Sequence, residues 1–173
     1  MPQYRVTQKF AKDLKLKALG SPAETQSIFD DWVIDMIRVG RRKVGMITHV
    51  HSFLTFFVPY SEIGGASEIH HATRLFLVNF LYEHGLDQYV RRAEQFFDTD
   101  TTVRYCKTDN RKLVGHMTDL KYMAEGQYQG VDFESINWDE INRYVHNTIV
   151  RLHGSQYSRP EELFVKTINS IAD

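Results

Sequence analysis

The residues of this 173-residue chain able to bind a metal, move a proton or hold an anion are eight histidines, one cysteine and a scatter of arginines and lysines. His49 and His51 stand one residue apart in Ile-Thr-His-Val-His-Ser-Phe-Leu-Thr-Phe-Phe, positions 47–57. On a strand, alternation would turn both imidazoles to one face. A divalent metal needs at least a third protein ligand. No His-Glu-x-x-His or comparable pattern supplies it, and His70-His71 diverge by about 100° on a helix. The spacing therefore favours a polar hairpin rim at His49 and His51, with no metal and no cofactor. As general acids or bases, His49, His51 and His116 are the candidates.

Other nucleophiles and phosphate cradles find no support. There is no Gly-x-Ser-x-Gly elbow. Cys106 follows Tyr105 in an extended stretch with no adjacent base, so a half-buried structural thiol is the favoured reading. Gly64-Gly65 lacks the lysine or third glycine of a nucleotide loop. Basic residues are more suggestive. Arg5, Lys9, Lys12, Lys15 and Lys17 crowd the N-terminal stretch, Arg41-Arg42-Lys43 mark a turn, and Arg91-Arg92 lie on a helix.

The most pointed segment is Thr-Asp-Asn-Arg-Lys-Leu-Val-Gly-His-Met-Thr-Asp-Leu-Lys-Tyr-Met, positions 108–123. Asp109 is placed to cap a helix. Gly115 then falls mid-helix, where it costs about 0.5–1 kcal/mol against alanine. Close packing is the usual reason for such a glycine. Arg111, Gly115 and Asp119 could edge a polar pocket, but a tight helix–sheet crossing with an Arg–Asp pair is favoured.

These residues need elements to position them. Gln3–Thr7 reads as a short strand, 8–19 as a basic helix stopped by Gly20, and Ser21-Pro22-Ala23-Glu24 as a capped helix start. Three β-prone runs, 32–39, 44–50 and 53–58, with short links predict an antiparallel meander. After Gly64-Gly65 the apolar period lengthens to 3.6. It predicts helices over 67–84, 86–97, 110–125 and 137–153, with the last starting at Ser158-Pro160. An extended segment over 98–107 interrupts them. The expected fold is α+β: a small antiparallel β-meander packed against and followed by several α-helices, in one globular domain over 1–173.

Composition sets the outer bounds. Eleven Phe, nine Tyr and two Trp in a chain 42% hydrophobic argue for a packed core. A net charge of −1 gives no global field for nucleic acid, which is possible as a partner but not favoured. One cysteine precludes an intrachain disulfide. No secretory signal or apolar run of about 18 residues is present. A cytoplasmic setting with no membrane fits.

Three stretches resemble an uncharacterised bacterial family known as a domain of unknown function: 4–14, 31–59 and 110–120, over roughly the first 125 residues. The matching positions are Arg5, Thr7, Lys9, Trp32, Arg41, Arg42, Lys43, Asn110, Arg111, Gly115 and Asp119. Lys112 stands where the family tends to have serine. The resemblance implies no activity. It implies a compact bacterial or mobile-element accessory protein, with Arg5, Lys9, Arg42, Asn110, Arg111 and Asp119 as one binding surface; the function expected of it extends to a toxin–antitoxin or phage-defence accessory role. The expected function is a binding or regulatory module acting through contact with a protein partner or a second copy of itself. The alternative is a small enzyme on RNA or a phosphorylated substrate, with a histidine as acid/base and Arg42 or Arg111 on phosphate.

Overall fold

A computed structural model describes residues 1–25, 27–98, 101–151 and 156–170. The chain runs β1 (Gln3–Val6), α1 (Gln8–Asp13), β2 (Trp32–Val39), β3 (Arg42–His49), β4 (Thr55–Pro59), α2 (Tyr60–Ile63), α3 (Ile69–Glu83), α4 (Val90–Phe96) and β5 (Arg104–Lys107). It continues through α5 (Arg111–Tyr128), α6 (Trp138–His146), β6 (Val150–Arg151), β7 (Tyr157–Ser158) and α7 (Pro160–Ser170).

The fold is α+β, and the meander β2–β3–β4 is antiparallel as expected. The sheet is larger than the meander. Its order is β4-β3-β2-β1-β5, with β1 parallel to both β2 and β5. Tyr4 thus pairs with Trp32 on one side and Tyr105 on the other. Neither partner is signalled by local pattern, because Trp32 lies 28 residues from Tyr4 and Tyr105 lies 101.

Alternation along the strands gives each face its own core. On one face Tyr4, Trp32, Ile34, Ile47 and Phe56 pack with residues of α1, α3, α4 and α7. On the other, Val33, Ile37, Val44, Met46 and Phe57 pack with α5 and α6. Gly45 lets α3 approach the sheet: a Cβ there would lie 2.7 Å from Ile69 Cδ1.

Both sheet edges are closed. At β4, the Asn142 side chain accepts from Phe57 N–H at 2.7 Å and donates to Phe57 C=O at 3.2 Å. His146 Nε2 donates to Thr55 C=O at 2.8 Å. At β5, Lys107 N–H donates to Gly20 C=O.

Several helix expectations need correction. Residues 21–25 are not helical, because the Gln3 amide binds both Ala23 N–H and Ala23 C=O. That tertiary contact outweighs the capping pattern. α1 ends at Asp13, where Lys15 turns left-handed at φ 54°. The cap of α5 is Asn110, whose Oδ1 accepts from Leu113 N–H, not Asp109. α5 runs through Gly126 to Tyr128. α6 stops at His146, with Asn147 and Thr148 side chains bonding the carbonyls of Arg143 and Tyr144. The expected positions Leu152, His153, Gly154 and Ile171 lie outside the described residues.

Candidate functional site

β1 alternates across the sheet, so Arg5 points to the α5 face while Tyr4 and Val6 enter the opposite core. Beside it, Asp31 precedes β2 and is 1% exposed. Arg5 Nε donates to Asp31 Oδ1 and Nη2 to Asp31 Oδ2, both at 2.7 Å. This fork-to-fork pairing fixes the guanidinium plane. Gln3 Nε2 adds a third bond to Asp31 Oδ1 at 3.1 Å. The third arm of Arg5 differs: Nη1 reaches Asp109 Oδ1 at 2.9 Å, and that carboxylate side chain is 65% exposed.

Three bonds use three of the five guanidinium N–H groups. The other two have no partner among the described residues. Arg5 borders a cleft of about 460 Å³ with Val50, His51, Phe53, Asn110 and Leu163. The volume is in the range of small-ligand sites.

Backbone strain gathers here. Of the described non-glycine residues, Lys15, Asp31 and Phe53 have left-handed φ, at 54°, 68° and 59°. Asp31 holds Arg5, and Phe53 walls the cleft. Such conformations persist where the surroundings over-determine them, often at binding sites. Asp31 C=O accepts from Val50 N–H, tying the arginine's anchor to the loop that carries His51.

The charge at the start of α5 also runs against local preference. Its first turn carries Arg111 and Lys112 and no acid. Cations at a helix N-terminus meet the positive end of the dipole. Arg111 follows Asn110, which lines the cleft.

The histidines separate into two classes. His49 ends β3, is fully buried, and its Nδ1 lies 2.8 Å from Ser52 Oγ. Burial, with a smaller contribution from His51, lowers its pKa to about 3. The chain leaves the strand at Val50, so His51 is not its alternation partner; it is exposed and lines the cleft. His116 is half-buried, its ring 4.7 Å from Phe53. Among the described residues no three His, Cys, Asp or Glu side chains are grouped to hold a metal ion.

The other sequence candidates scatter. Asn110 and Arg5 share the cleft, and Arg111 follows Asn110. Lys9 lies beside Thr7 and Asp35 at a smaller cavity along α5. Arg42 pairs in register with Val39, six residues beyond Val33, the partner of Arg5. That is about 20 Å along the strand. There it meets Glu134 at 2.8 Å and the Phe133 ring. Asp119 and Gly115 are exposed on α5, and nothing lies within 4 Å of where a Gly115 Cβ would be. Neither the tight crossing nor the pocket edge expected of Gly115 is present.

A family model described as a domain of unknown function, DUF6933, matches residues 3–163. The chain belongs to this family. The match runs from β1 into α7 and so takes in both sides of the cleft, Arg5 at one end and Leu163 at the other. No curated protein matches the chain.

Sequence reasoning missed Asp31 and Phe53 and assigned Asp109 to a cap. Asp31 was legible only as one of two acids before Trp32. Its role depends on the parallel pairing of β1 with β2.

Proposed function

We propose that the chain is a binding module that recognises a partner protein through the Arg5 cleft. The observation that carries this reading is the pre-oriented guanidinium: Asp31 fixes it from below, and two of its donors have no partner among the described residues. A fixed, desolvated arginine loses little freedom on binding, which is what interface anchors require. We place the module in the cytoplasm, where its single buried thiol, Cys106, fits a reducing setting. No helix is long and apolar enough to cross a membrane among the described residues. Accessory systems of mobile elements, toxin–antitoxin pairs and phage defence are where we would seek the partner.

Cross-linking in the host, followed by mass spectrometry of the wild type, Arg111→Glu and Arg42→Glu, tests the reading. A partner held by the wild type and Arg42→Glu but lost from Arg111→Glu supports it. A partner held equally by all three contradicts it.

One observation favours an enzymatic reading second. His51 lines the same cleft as Arg5, so an acid/base group and a cation face one space. Turnover of a phosphorylated or RNA substrate that His51→Ala abolishes would establish it. Unchanged turnover in that variant would remove His51 from any mechanism.

A further inference from the structure

Resting on that reading, we infer that the cleft takes a carboxylate carried on an apolar group, and that Asp109 occupies the carboxylate's place on Arg5 until the ligand displaces it. The two acids on Arg5 are unequal. Asp31 is buried, doubly bonded and tied into the sheet. Asp109 makes one bond from an exposed side chain in the link between β5 and α5. A single bond from an exposed carboxylate is weakly held, so a better-seated carboxylate outcompetes Asp109.

The walls define what the carboxylate is attached to. Val50, Phe53 and Leu163 give it apolar lining, and Arg5, Asn110, His51 and Gln156 give it polar lining. An acid group with an apolar neighbour satisfies both. Charge selects a monoanion. Arg5 is already matched by Asp31, and released Asp109 stays nearby, so the uncompensated repulsion on a phosphate dianion is twice that on a carboxylate.

A free carboxylate beside an apolar side chain occurs at the end of a polypeptide and in small acyl amino acids. Calorimetric titration of the full chain with N-acetyl-leucine, a pentapeptide ending in leucine and both C-terminal amides separates the sources. We expect the acids to bind and the amides to bind at least tenfold more weakly. Inorganic phosphate should compete poorly. Asp109→Ala and Asp109→Asn should each tighten acid binding at least threefold, because the internal competitor is gone. Equal affinity for both acids assigns the site to a small carboxylate, and tighter peptide binding assigns it to a chain terminus. Amides that bind as well as acids, no binding of either acid, or unchanged affinity in both Asp109 variants would overturn the inference. If Arg111→Glu still loses the cross-linked partner in that event, the cleft reading stands and only the carboxylate assignment falls.

Discussion

The β4 edge and the Arg5 cleft are both places where polar side chains are buried against the sheet, and they use them differently. At β4, Asn142 bonds both the N–H and the C=O of Phe57, and His146 bonds Thr55. These contacts stand in for a sixth strand. At Arg5, the anchoring acid accepts on both oxygens, while the arginine keeps two donors over among the described residues. The first region closes the fold, and the second holds a reactive group still. The difference teaches that burial of a polar group marks function only when its hydrogen-bonding capacity exceeds what its neighbours accept.

The largest test of that contrast removes the arginine. Arg5→Ala leaves Asp31 buried and unpaired, and such losses cost about 3–5 kcal/mol; urea denaturation should show it. Arg5→Met combined with Asp31→Asn, which tolerates the left-handed backbone and still accepts from Gln3, should recover part of this stability and yet bind no carboxylate. If the pair served the fold alone, the double variant would lose nothing else.

Acid sharpens the comparison next. His146 is buried at the β4 edge, and burial lowers its pKa to about 4 from 6.5. His49 goes lower, to about 3. The unfolded chain binds protons near pH 6.5 while the folded chain does not, so stability falls as pH drops from about 6.5 towards 4 and on towards 3. His146→Gln, which keeps a donor for Thr55, should flatten the upper part of that slope. A variant slope equal to the wild type's would show that His146 is not the linked group.

Asn142→Ala should cost about 2–3 kcal/mol, since the groups of Phe57 it satisfies are buried. Its carboxylate binding should be unchanged, because the contact lies across the sheet from β1. The smallest effect goes the other way. Gly115→Ala should stabilise by about 0.5–1 kcal/mol, because Gly115 is helical, exposed and has open space around it. Destabilisation there would mean an unseen contact on α5.

Much of the fold was legible in local chemistry. The meander, the Asn137 cap of α6 and the Pro160 start of α7 follow from periodicity and capping residues. What was not legible depends on distant partners. The place of β1 between β2 and β5 rests on pairing across the chain. The failed helix at 21–25 rests on the Gln3 side chain. The site divides the same way. Arg5, Asn110 and Arg111 stood out as residues, and the structure brings Arg5 and Asn110 to one cleft while placing Arg42 well away. Asp31 and Phe53, which give the cleft its geometry, carry no local signature, since their left-handed backbones are imposed by the surrounding sheet.

The most direct test is an NMR spectrum of the Arg5 Nε–H, which Asp31 holds in a fixed environment. Addition of N-acetyl-leucine should shift that signal while its bond to Asp31 persists, and should shift the Asn110 side chain with it. A ligand that binds while the Arg5 and Asn110 signals stay in place would contradict the account.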